Sequence, residues 1–233
     1  LCAMLFEHGI ETILAPVFGR ELLRRGDEYT QRVGIEGLIR TATDKNYRAF
    51  FERFNVKIRF YGDYRNVLTG TPHEGALQSM DEVVEATKSN SRFRLYFGVF
   101  ADESSETVAR LSVENFRAEG KIPDKTALVK QYYGEELPPV SLFIGFDKFS
   151  AFDMPLLSTG EEDLYFSHSP SPYMTARQLR SILYDHLYTR RAPEPDYAKL
   201  PPDALNELRE YYRRRKDSAF GVGKLKFGLW FPE

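Results

Sequence analysis

The chain has 233 residues, 42 % hydrophobic and 28 % charged, ordinary values for one globular domain burying roughly 70–75 % of the surface its unfolded chain would expose. No apolar run approaches the ~20 residues of a spanning helix, and a formal charge of −2 gives no global reason to bind nucleic acid. The single cysteine, Cys2, excludes an internal disulfide framework and a Cys-rich zinc site, so a soluble protein of the reducing cytoplasm is expected.

In chain order, Leu1 to His8 have the apolar spacing of the last turns of a helix, and Gly9 stands where a helix-terminating glycine belongs. No cap or signal-peptide pattern precedes them. Upstream sequence is therefore expected, and with it at least one element of the fold. Glu11 to Phe18 reads as a buried strand with Pro16 near its exit, where it disturbs pairing least. Helical periodicity covers Asp27 to Arg40 and Asp44 to Phe54, followed by a strand over Val56 to Tyr61 and a short helix over Met80 to Thr87. A third strand over Arg94 to Phe100 leads into a helix ending near Glu119. Ser141 to Phe146 and Asp163 to Phe166 are further strands, and a helix capped by Thr175 runs to Tyr188. After a Pro-rich connector, Arg191 to Pro202, a basic helix extends to about Lys216 and a Gly-Leu-Trp-Phe end packs back. Such alternation predicts an α/β fold, a mostly parallel central sheet with helices on both faces. The reading is one domain over 1–233, with a C-terminal helical extension from about 192.

The strand-exit run Lys57-Ile58-Arg59-Phe60-Tyr61-Gly62-Asp63-Tyr64 places two phenols and a carboxylate where open α/β sheets bind ligands. Other chemistries lack their signatures. There is no Gly-x-Gly-x-x-Gly after a strand, no Gly-Lys-Ser/Thr and no Gly-x-Ser-x-Gly, and the four histidines are scattered. What remains is a site built on carboxylates, phenols and bound phosphate. Aromatic residues at 14 % exceed what packing alone leads one to expect, and some could line a ligand cavity.

Gly9-Ile10-Glu11, Val56 to Asp63 ending in Gly-Asp, the aromatic strand Arg94 to Phe100 followed by Glu106, and Ser141 to Ile144 leading to Leu164-Tyr165-Phe166 resemble the cis-prenyltransferase superfamily. Phe60-Tyr61-Gly62-Asp63-Tyr64, Phe97-Gly98-Val99-Phe100, Phe143-Ile144-Gly145-Phe146, Pro155-Leu156-Leu157-Ser158 and Ile182-Leu183-Tyr184-Asp185-His186 are most similar to its tuberculosinyl adenosine transferase and tuberculosinol synthase branch, diterpene synthases on the same fold. The departures matter too. Where chain-elongating members grip isopentenyl diphosphate with an arginine-rich segment, this chain has Ile144-Gly145-Phe146-Asp147-Lys148-Phe149-Ser150, so a second diphosphate is poorly provided for. Phe100-Ala101-Asp102-Glu103-Ser104 replaces the Asn-Tyr-Gly-Gly-Arg turn. The superfamily's Asp-Gly-x-x-Arg allylic diphosphate segment would lie before Leu1.

The resemblance implies an enzyme that ionises one allylic diphosphate, C20 and linear or bicyclic, and transfers the prenyl group to a small nucleophile such as adenosine or releases a diterpene alcohol or olefin. Asp63 is the expected general base, helped by Tyr61 and Tyr64. Arg20, Lys148 and Ser150 are expected at phosphate, and Phe100, Phe146 and Tyr165 with the substrate, where their aromatic faces and those of Tyr61 and Tyr64 steady a cation by ~0.5–2 kcal/mol each. Asp163 stands where elongating members place a metal-binding glutamate, so Mg²⁺ could bind there. A homodimer is expected by resemblance, and the Arg213-Arg214-Arg215-Lys216 run could touch lipid headgroups. The alternatives are a non-catalytic partner subunit of the same fold and, more weakly, a chain-elongating enzyme.

Overall fold

In the computed structural model, which describes residues 1–101, 104–146 and 149–232, the chain divides into two compact units. One comprises residues 2–141 and 152–162, the other residues 142–151 and 163–232 together with Leu1.

The first unit is built on a parallel sheet in the order β1-β3-β2, with β1 at Thr12–Phe18, β2 at Val56–Tyr61 and β3 at Phe93–Val99. The expected strands are all present, and β2 has the bounds read from its alternation. Along β1, Pro16 pairs with Gly98 and the register shifts before Phe18 pairs with Val99. A residue without N–H is tolerated at a sheet edge beside such an irregularity. Helix α1 (Cys2–Glu7) precedes β1. After it come α2 (Arg20–Leu23), α3 (Asp27–Tyr29), a π-helical stretch over Thr30–Ile35, α4 (Glu36–Thr43) and α5 (Lys45–Phe54). The expected Asp27 to Arg40 helix is thus one continuous helical run that tightens and widens along its length. Asp44 caps α5 by accepting the Asn46 N–H at 2.8 Å, and Asn55, at φ 52°, ends it. That left-handed conformation is one asparagine tolerates. Helices α6 (Tyr64–Leu68) and α7 (Gly75–Thr87) lie between β2 and β3.

The pleat sends β2 and β3 side chains to two different cores. Val56, Ile58 and Phe60 of β2, with Phe93, Leu95 and Val99 of β3, pack with Phe6, Phe51, Met80 and Val83 from the helices. On the other face Tyr61 and Tyr96 pack with Val129, Tyr133, Leu137 and Leu157. Helix α8 (Ser104–Glu119) and helix α9 (Lys125–Tyr133) follow β3. The sequence reading passed over α9. Its ends are nonetheless well marked, by Asp124 accepting the Ala127 N–H at 2.8 Å and by Gly134 in the left-handed region. Glu135 then ties α9's end to the sheet through Arg59 at 3.3 Å, Lys57 at 3.4 Å and the Tyr96 hydroxyl. Burial pushes the Glu135 carboxyl up, but the Tyr96 hydrogen bond and the Lys57 and Arg59 charges outweigh it and leave it below the ordinary carboxylate range.

The second unit holds a parallel pair, β4 (Leu142–Phe146) with β5 (Asp163–Ser167), and helix α10 (Ala176–Tyr184), which continues as a π-helical stretch over Asp185–Thr189. Thr175 and Gln178 form a reciprocal capping box at the start of α10. Helix α11 (Pro202–Arg215) is the expected basic helix, and the chain ends in an antiparallel hairpin, β6 (Gly223–Lys226) with β7 (Leu229–Pro232). Among the described residues no helix is long and apolar enough to cross a membrane.

Candidate active site

Three strand exits meet at the carboxyl end of the β1-β3-β2 sheet. The Phe100 N–H donates to the Phe18 carbonyl at 2.7 Å and the Asp63 N–H to the Phe100 carbonyl at 2.9 Å, so backbone alone pins the exits of β1, β3 and β2 together. Gly62 makes this possible. Its φ is +112°, and a Cβ there would stand 2.0 Å from the Val99 carbonyl oxygen, an approach no side chain permits.

On this frame the Asp63 carboxylate faces cations from both neighbouring exits. Arg20, opening α2 after β1, donates to it at 3.0 Å, and Arg110, two turns into α8 after β3, lies 3.7 Å away. Asn66 of α6 donates to its other oxygen at 2.6 Å. The carboxylate is 22 % exposed and both guanidiniums are half-exposed. Arg110 also donates to Glu114 at 3.0 Å, so the two guanidiniums are balanced by two carboxylates, and both stay open enough to solvent to meet an anion.

The aromatic residues nominated beside it are placed differently. Tyr61 is buried and its hydroxyl donates to the Asp153 carbonyl at 2.9 Å; burial, with Asp153 adding to it, pushes the phenol far up. Tyr133 makes the matching bond to Pro155 at 2.8 Å. These two phenols hold the 152–162 segment, and the Tyr61 ring is buried beneath the surface. Phe100 is likewise buried, edge-on to Phe18 at 5.1 Å, and supports the exits from beneath. Tyr64 is half-buried, 6.2 Å from the Phe60 ring, with the Arg65 guanidinium 5.3 Å from its centroid.

Phe146, Ser150, Tyr165 and Asp163 belong to the second unit. Phe146 and Ser150 are exposed; Lys148 lies outside the described residues. The Tyr165 hydroxyl donates to Asp185 at 2.6 Å under the Arg190 guanidinium, 4.8 Å from the ring centre. Burial, then the Asp185 bond, pushes this phenol up to about 12. Asp163 is the most engaged carboxylate of the unit. It accepts from His186 Nδ1 at 2.6 Å, Arg191 at 2.7 Å and Arg190 at 3.3 Å. Burial raises its carboxyl, but the His186 bond and the two guanidiniums outweigh it and hold it below the ordinary range. Magnesium needs oxygen donors and open positions, whereas Asp163 is ringed by donors and positive charge. The residues around it do not fit the ion, which corrects the expectation of a metal ligand there. Among the described residues no group of three His, Cys, Asp or Glu side chains could hold a metal. A 670 Å³ hollow along α7 has Glu74, Asp81, Glu82 and Glu85 in its wall, a lining that would repel a diphosphate.

No family model matches the chain. It is 44 % identical over 232 residues, 99 % of its length, to the tuberculosinyl adenosine transferase of Mycobacterium tuberculosis (strain CDC 1551 / Oshkosh), covering 78 % of that protein. The chain belongs to the tuberculosinyl adenosine transferase family. A (+)-kolavelool synthase of Herpetosiphon aurantiacus is 29 % identical over 122 residues, 51 % of this chain and 41 % of that one. Among solved structures, a probable undecaprenyl diphosphate synthase from Campylobacter jejuni superposes with a TM-score of 0.64 at 16 % identity, over 84 % of this chain and 88 % of that one. Lavandulyl diphosphate synthase from Lavandula x intermedia, in complex with dimethylallyl diphosphate, gives 0.60 at 13 % identity, over 85 % and 83 %. The fold is thus that of the cis-prenyltransferases, as the strand phrases suggested, and the chain is an enzyme of this transferase and synthase family.

Within the family frame, the sequence reading missed Arg110 and Asn66. Asn66 follows Asp63 by three residues, one helical turn, and the pair could have been read from that spacing. Arg110 carries no local signal, since it meets Asp63 only through the return of the chain along β3.

Proposed function

We propose that the protein ionises a C20-class allylic diphosphate, linear or bicyclic, and passes the resulting cation to a small nucleophile such as adenosine or releases it as a diterpene alcohol or olefin. The observation that carries this reading is the identity to a transferase of that name over nearly the whole chain. The strand-exit cluster would supply the apparatus. Arg20 and Arg110 would hold the leaving diphosphate, whose growing negative charge rewards fixed cationic donors. A diphosphate would compete with Asp63 for those guanidiniums. The displaced carboxylate could then take a proton from water, from the nucleophile or from the cation. In this reading Tyr61 and Phe100 shape the site from behind rather than touching the cation.

Chain elongation is disfavoured at Gly145. Where elongating enzymes carry an arginine, this glycine sits so close to the Phe143 and Phe166 rings that a Cβ would come within 2.9 and 2.8 Å of them.

The test is to incubate the full-length protein, with and without Mg²⁺, with linear and bicyclic C20 diphosphates, adding adenosine or isopentenyl diphosphate to parallel reactions, and to measure pyrophosphate and product. Pyrophosphate release from a C20 diphosphate without a need for isopentenyl diphosphate is expected. Turnover only with isopentenyl diphosphate would replace the proposal with elongation. Asp63→Asn should lower product formation by about 10²-fold or more, within the usual general-base range of about 10²–10⁴.

A further inference from the structure

Among the described residues, the C-terminal hairpin presents a largely exposed apolar and cationic surface. Cross-strand pairing sets Lys224 opposite Phe231 and Lys226 opposite Leu229, and directly paired residues share a face of the ribbon. One face is therefore a mixed row of two lysines, a leucine and a phenylalanine, all exposed. The opposite face pairs exposed Leu225 with Trp230. At the tip, Phe227 (φ +53°) and Gly228 (φ +78°) form the two-residue connection. Asn or Asp is the usual first residue of such a turn, since a bulky side chain is disfavoured at positive φ. Here a phenyl ring occupies it, fully exposed. Packing among the described residues does not account for an aromatic ring in that strained position, and backbone strain of this kind is kept where a function needs it. Phe220, just before the hairpin, is also almost fully exposed.

Charge indicates the partner. Between Arg209 and Lys226 the sequence has seven Lys/Arg against two acids, in a chain of net charge −2. An isologous contact with a second copy would set this cationic segment near itself. Single-stranded nucleic acid would use the rings for stacking but has no use for Leu225 and Leu229. Apolar and aromatic residues interleaved with lysines, a few residues after a basic helix end in sequence, match the boundary of an anionic bilayer. There the rings and leucines enter the acyl region while the cations meet headgroups.

We propose that the β6-β7 hairpin is a membrane-docking element that inserts Phe227 and its neighbours into anionic lipid surfaces. The proposal stands independently of the substrate and needs no contact between the two units.

The chain supplies its own reporter, because Trp230 is its one tryptophan. With the full chain, vesicles rich in phosphatidylglycerol should co-sediment the protein and shift Trp230 emission to the blue, and brominated lipid should quench it. Phosphatidylcholine vesicles should do neither, and added salt should weaken binding. Phe227→Ser, at a fully exposed position, should fold normally and bind at least ~10-fold more weakly, as should Lys224→Ala combined with Lys226→Ala. Wild-type protein that ignores anionic vesicles would overturn the proposal. So would variants that bind as well as wild type, or a dimer in sedimentation velocity, without lipid, that Phe227→Ser dissociates.

Discussion

Asp63 and Asp163 are both carboxylates set between two arginines, yet their settings differ. Asp63 is 22 % exposed and stands at the carboxyl ends of three parallel strands, its guanidiniums delivered by the exits of β1 and β3. Asp163 is 10 % exposed, stands at the start of β5, and takes its three partners from one stretch between His186 and Arg191. The first cluster joins segments distant in sequence at the end of a parallel sheet where such folds bind ligands. The second fastens the end of a helical run to the first residue of the neighbouring strand. A carboxylate between arginines is thus no indicator of a site by itself; position on the sheet and access to solvent separate the two.

The largest effect should come from breaking this pairing in two places and finding two different defects. Asp63→Asn should keep its fold and lose about 10²-fold or more in turnover. Asp163→Asn should keep the strand-exit cluster intact and lose stability instead, because His186, Arg190 and Arg191 would face a neutral amide. Removing one partner of a buried pair costs about 3–5 kcal/mol. With both arginines half-exposed, screening by solvent brings the expected loss to about 1–3 kcal/mol. Urea unfolding of both variants decides the matter: a destabilised Asp63→Asn with normal turnover per folded molecule would reverse the two assignments.

Acid provides a second separation at Asp163. Its carboxyl is held below the ordinary range of about 3.9 by His186 and the guanidiniums, against the opposing effect of burial. A depressed folded value means that the stabilisation is fully present above the unfolded value and fades as the pH drops through the folded one. The stability gap between wild type and Asp163→Asn should therefore narrow as the pH falls below about 4. A gap that persists in strong acid would mean that packing, not charge, is what Asp163 contributes.

Much of the frame was legible because alternation reports strands directly. Val56 to Tyr61 shows the apolar positions of one face, and its bounds follow from them. Helix α9 was not legible from its pattern, since Ala127, Leu128 and Val129 make a cluster rather than a spaced stripe; the Asp124 and Gly134 caps were the better signal. The hairpin lacked an Asn-Gly turn to announce it. At the site, Asp63 stood out as a strand exit, whereas Arg110 could be joined to it only in three dimensions. Asp163 was misread for the same reason: its partners come from a helical run more than twenty residues away. The Tyr61 reading failed on burial. Period-two alternation says that Tyr61 and Phe60 point to opposite faces, but not that α9 and the 152–162 segment cover the second face as fully as helices cover the first.

That last point yields the smallest effect and the sharpest check on where the site ends. If Tyr61 is scaffold, Tyr61→Phe removes only the hydroxyl that bonds the Asp153 carbonyl at 2.9 Å and keeps the ring against Tyr133, 5.1 Å away between centroids. One lost hydrogen bond inside the protein costs about 0.5–1.5 kcal/mol, visible as a lower urea midpoint at unchanged slope. Turnover measured well below that midpoint should stay within about twofold of wild type, because only an interaction strengthened in the transition state changes the rate of the chemical step. A tenfold loss of turnover at undiminished stability would instead extend the site across the sheet to the second face. The comparison would then have to be redrawn, with Asp63 and the phenol behind it acting as one unit.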